Sequence, residues 1–140
     1  MKRTLRIAAV AVLALTADAW AAGTVTVAEE THSTIKKITW TWTSTAGGAA
    51  DLVTVGAYTG KIEALVTNPD DAAAPTTLYD ITVTDQDGTD VLSAAGANRS
   101  ATVTEIVLSG SLGIVANDKL TLNVTNAGAT KAGVCIVYVR

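Results

Sequence analysis

Three aspartates, Asp85, Asp87 and Asp90, fall within six residues around Gly88 in the stretch DQDGTD. Acidic oxygens at such spacing are what a hard cation such as calcium needs for a converging ligand set. The Gly comes too early for an EF-hand loop, and no Glu occupies the closing position. An Asp-Gly hairpin tip accounts for the same residues, because Asp-Gly meets the positive-φ demand of a type I′ turn. The sequence favours the turn. Asp85, Asp87 and Asp90 are therefore weak metal candidates, and no metal or other cofactor is expected.

Catalytic chemistry has little to draw on. His32 is the single histidine and lies in the polar run EETHS, where a solvated turn residue is the simpler reading. It has no second imidazole with which to build a multi-histidine metal site. Cys135 is the single cysteine, so no intramolecular disulfide is available. It sits in the apolar run VCIV, which predicts a buried, inert thiol. There is no G-x-S-x-G elbow, no P-loop and no G-x-G-x-x-G after a strand. An enzyme is not expected. Asn98-Arg99-Ser100 and Asn123-Val124-Thr125 match the glycosylation acceptor pattern, a match too frequent by chance to carry weight.

The elements that would position any site are strands. About one residue in six of the 140 is Thr, and Val, Ile and Ala supply most of the apolar fraction. Such side chains suit a pleated surface better than a helix. In Thr34–Thr43, Ile38, Trp40 and Trp42 share one face and Thr39, Thr41 and Thr43 the other. That alternation predicts a strand with the tryptophans in the core, although an exposed pair would offer a stacking platform for a sugar ring or a partner. Further strands are expected at Leu52–Ala57 and Lys61–Thr67, joined by a tight turn near Tyr58-Thr59-Gly60. Tyr79–Thr84 and Val91–Ser93 are expected as a hairpin about Asp87-Gly88, and Thr102–Leu108, Lys119–Thr125 and Gly133–Arg140 as later strands. Asn117-Asp118 and Asn126-Ala127-Gly128 read as turns, residues 68–75 as a loop, and Ala94–Ser100 as a loop or one helical turn. The last strand is apolar on both faces, so it is central or covered by a partner. An all-β domain follows, an antiparallel β-sandwich or jelly-roll-like barrel of about seven to nine short strands.

A leader precedes it. Lys2, Arg3 and Arg6, the apolar run Ile7–Leu15 and the small residues around Ala17–Ala21 follow the order of a secretory signal peptide. The run is too short for a stable membrane span. The expected division is a leader over 1–21 and one domain over 22–140. That domain carries seven basic and twelve acidic residues, a net charge of about −5. Nucleic acid, bound mainly through phosphate contacts, is an unsuitable partner.

Three stretches, HSTIKKITW from His32, PTTLYDITVTD from Pro75 through the hairpin to Val91-Leu92, and VANDKLTLNVTN from Val115, together resemble a family of small bacteriophage virion-structural proteins. The resemblance implies an all-β capsid decoration, head-fibre or tail-associated subunit, a homo-oligomer assembled with other capsid or tail proteins in the virion. It brings no functional residues. The leader departs from that family's pattern and favours the alternative, an exported periplasmic or extracellular β-sandwich such as an adhesin-like protein, a filament or surface subunit, or a binding module.

Overall fold

The computed structural model describes residues 23–140; the expected leader over 1–21 lies outside them. The described residues form strands β1 (Thr24–His32), β2 (Ile35–Thr43), β3 (Ala50–Val53), β4 (Tyr58–Pro69), β5 (Asp80–Thr84), β6 (Glu105–Leu108), β7 (Ile114–Asp118), β8 (Thr121–Thr125) and β9 (Ala132–Val139). All strand pairs are antiparallel. One sheet runs β1-β2-β9-β4-β6, with β7 on the N-terminal end of β4; the other is β3-β8-β5. The protein is an all-β antiparallel sandwich, as the alternation predicts.

The core lies between the sheets. Ile38, Trp40 and Trp42 of β2, Cys135, Val137 and Val139 of β9, and Ile62 and Leu65 of β4 face Ile81, Val83, Leu122 and Val124 of the smaller sheet, all buried. The Trp42 and Tyr79 rings meet tilted at 5.7 Å between centroids, a favourable aromatic arrangement. β9 is central, between β2 and β4, as its two apolar faces require.

Several local expectations are corrected. No turn forms at Tyr58-Thr59-Gly60: β3 and β4 belong to different sheets, and these residues open β4. The chain crosses between sheets at Thr54–Ala57 because polar groups hold it there. The Thr54 hydroxyl donates to the Gly56 carbonyl (2.7 Å) and accepts the Leu120 N–H (3.0 Å). Gly60 then takes φ +144°, where a Cβ would run into the Arg140 carbonyl.

Val91–Ser93 is not a returning strand either. After one bridge, Thr84 to Asp90, the chain winds into turns, because the Asp90 carboxylate accepts the N–H groups of Leu92 and Ala94. The partner of β5 is β8. The strand expected over Thr102–Leu108 begins only at Glu105, since the Ser100 hydroxyl takes the N–H groups of Thr102 and Val103 into a local turn. Asn117-Asp118 ends β7, where the Asn117 N–H donates to Thr59 Oγ1 at 2.8 Å. His32 is the last residue of β1, a strand that the acidic run Glu29-Glu30 disguised.

Candidate docking surface

Each sheet has one face in the core and one outside, and the two outer faces differ. On the smaller sheet, Asp51, Asn123 and Thr82 stand in register across β3, β8 and β5, followed by Val53, Thr121 and Thr84. Apart from Val53, these are polar side chains suited to water. The larger sheet carries the opposite chemistry. One row is Ala28, Thr39, Ile136, Val66 and Ile106, across β1, β2, β9, β4 and β6. The next is Glu30, Lys37, Tyr138, Ala64 and Leu108. The Thr-rich half on β1 and β2 gives way to an apolar half on β9, β4 and β6.

The apolar half is open. Ile106 is 63% exposed and Leu108 70%, while Val134, Ile136, Tyr138 and Val66 are half-buried by their neighbours. Ile114 on β7, 71% exposed, extends the apolar edge. Isolated exposed apolar residues are ordinary, but a contiguous patch of this kind is a candidate contact surface. At one end of the face lies a shallow depression of about 280 Å³ lined by Thr41, Thr43, Asn68, Asp70, Ala132 and Val134 among others. Two of its polar oxygens are already engaged: Asn68 Oδ1 accepts from the Thr104 hydroxyl at 2.6 Å, and Asp70 Oδ1 accepts the Ala72 and Ala73 N–H groups.

The residues singled out for chemistry are dispersed or occupied. Asp85 Oδ1 accepts the N–H groups of Asp87 and Thr89, closing the turn in which Gly88 has φ +84°. Asp90 holds Val83, Leu92 and Ala94 by their amides. Among the described residues, no three His, Cys, Asp or Glu side chains gather in a metal-holding group. His32 is exposed, its Nε2 3.2 Å from Glu30 Oε2. Hydrogen bonding from His32 and the Lys37 ammonium at 3.5 Å hold the Glu30 carboxyl below its usual range. Cys135 is buried, and burial pushes its thiol up to about 12, leaving the unreactive protonated form. Trp40 and Trp42 are core residues and offer no stacking platform.

The sequence pointed to part of this surface through the two apolar faces of β9. It gave no sign that Ile106 and Leu108 face outward, because they alternate with Glu105 and Val107, and the carboxylate makes that second set the one expected in water.

No family model and no curated protein matches the chain. Among solved structures, a low-affinity xylan-binding module from the xylanolytic gut symbiont Roseburia intestinalis is similar over 84% of this chain and 94% of its own, with a TM-score of 0.40 and 8% identity. No helix among the described residues is long and apolar enough to cross a membrane.

Proposed function

We propose that the chain is a non-enzymatic structural subunit of a phage or prophage virion, a capsid decoration or tail-associated protein, that packs on a neighbouring subunit through the outer face of the larger sheet. The observation that carries this reading is the contrast between the two outer faces: Thr, Asn and Asp on one, an open strip about Ile136, Ile106 and Leu108 on the other. A subunit with one face in water and one on a neighbour needs that asymmetry. The non-enzymatic part is supported by carboxylates engaged with backbone amides and a thiol buried in the core. The resemblance of the three sequence stretches supports the virion setting.

A second reading, an exported filament or surface subunit, is favoured by the basic and apolar order of the first 21 residues. Mass spectrometry of the native protein separates the two. An intact N-terminus in purified virions supports the first; a chain beginning near Ala22 in a periplasmic or secreted fraction, and absent from particles, overturns it.

A further inference from the structure

We infer that the occupant of the larger sheet's outer face is a second copy of this chain, packed sheet face against sheet face. This names the partner of the surface above and rests on the reading of the chain as a structural subunit. Three observations carry it.

The first is size. Five strands lie side by side, and β2 and β9 are paired over eight residues. At about 4.8 Å between strands and about 3.3 Å per residue, the face spans roughly 600 Å² in plan. A pleated surface exposes more than its plan area, which brings it to the scale of a stable interface, about 800 Å² per partner.

The second is charge. The domain is acidic, with seven basic against twelve acidic residues over 22–140. On this face, Glu30 and Lys37 stand opposite each other and pair at 3.5 Å, so they cancel. Two acidic molecules that meet through a neutral patch bring no like charges into close opposition, which would otherwise oppose the contact. Lys61, in register with Ile114, and Asp70, at the depression, add one charge of each sign, so the face has no large excess that would select a charged partner of another kind.

The third is pattern. A two-fold axis lying in the interface and crossing the strands sets β9 over β9 and β6 over β6. Ile136, Tyr138, Ile106 and Leu108 then meet the same apolar strip on the other copy, and the Thr-rich halves of β1 and β2 face each other. This is the self-complementarity that an isologous contact demands, and it closes at two copies. Sheets stacked this way sit about 10 Å apart with their side chains interdigitated.

Sedimentation velocity on the full chain tests the inference. A dimer is expected at about 100 µM, a concentration that nearly saturates a contact with a Kd of about 1 µM. The double variant Ile106→Glu, Leu108→Glu puts four new like charges into the contact and is expected to raise Kd by about 100-fold or more. Both sites are more than half exposed, so the circular dichroism spectrum is expected to be unchanged. Thr125→Glu, on the smaller sheet, is expected to leave the dimer intact. Hydroxyl-radical footprinting of the unaltered chain needs no variant: oxidation of Ile106, Leu108 and Tyr138 is expected to fall as concentration rises. A chain that stays monomeric, or a dimer untouched by the double variant and unprotected at these residues, overturns the inference. A monomer found in virions with this face on another protein overturns it while sparing the proposed function. A dimer that enters no assembly overturns the function and spares the dimer.

Discussion

The hydroxyl of Tyr58, at the start of β4, donates to Oε2 of Glu29 on the edge strand β1. The same carboxylate accepts the N–H groups of Val55 at 2.6 Å and Gly56 at 3.0 Å. One side chain thus ties the edge of the larger sheet to the segment that crosses between sheets. Partial burial pushes the Glu29 carboxyl up, but the Tyr58 hydroxyl and the two amides outweigh it and hold the carboxyl below its ordinary 4.5. Glu29→Ala removes a charged acceptor from three donors and is expected to cost about 2 kcal/mol, and Tyr58→Phe about 1 kcal/mol, in urea unfolding.

The acid limb of stability follows from the same residue. A carboxyl whose folded pKa is depressed stabilises the fold above its unfolded value and loses that contribution as pH falls through the folded one. Stability is therefore expected to decline below about pH 4.5. Glu29→Gln should flatten that decline. An unchanged pH profile in the Gln variant would show that other carboxyls govern the acid limb.

At high pH the sign reverses. Burial pushes the Cys135 thiol from 9.0 to about 12. Burial, then the neighbouring Cys135, push the Tyr79 hydroxyl from 10.0 to about 12, with the Thr67 hydroxyl pulling the other way. Both groups bind their proton more tightly when folded, so their contribution is complete below the unfolded values and is lost as pH rises toward the folded ones. Melting temperature is expected to fall between pH 9 and 12. In Cys135→Ala the onset should move from near pH 9 to near pH 10.

The core makes a sharper demand at Gly133. A Cβ there would lie 2.7 Å from Cζ2 of Trp42 and 3.0 Å from the Asn68 carbonyl oxygen. The indole fills the space that a side chain on β9 would occupy, and backbone closes the other side. Gly133→Ala is expected to cost about 1–3 kcal/mol by overpacking. Trp40→Ala and Trp42→Ala are each expected to cost about 3–5 kcal/mol, both rings being fully buried. Chemical denaturation measures all three.

Legibility in the sequence followed the strength of local patterns. Trp40 and Trp42 alternate with Thr, so their burial was readable; β9 is apolar on both faces, so its central place was readable too. β1 was not, because Glu29 and Glu30 interrupt its alternation and the Ser33-Thr34 turn lacks Gly or Pro, with Ser33 taking φ +56° unaided. The crossing at Thr54–Ala57 was hidden for another reason. Its geometry is set by Glu29 and Leu120, which lie 26 and 66 residues away along the chain. The outer face was half visible, since strand alternation says which residues share a face but not which face of β6 meets the core.

Asp90 provides the last test, between a structural and a metal-binding role for the acidic turn. Its Oδ1 accepts the Val83 and Leu92 amides at 3.3 and 3.0 Å, and its Oδ2 accepts that of Ala94 at 2.8 Å. Asp85 similarly takes the amides of Asp87 and Thr89. Backbone donors occupy lone pairs of Asp85 and Asp90 that a cation would have to share. Asp90→Ala is therefore expected to cost about 2 kcal/mol in metal-free buffer, through three amides left without an acceptor. Millimolar calcium is expected to leave the melting temperature of the unaltered protein where it was. A ligand at a hundred times its Kd adds about 2.7 kcal/mol, so a calcium-dependent rise in melting temperature, abolished in Asp90→Ala, would reassign the turn to cation binding.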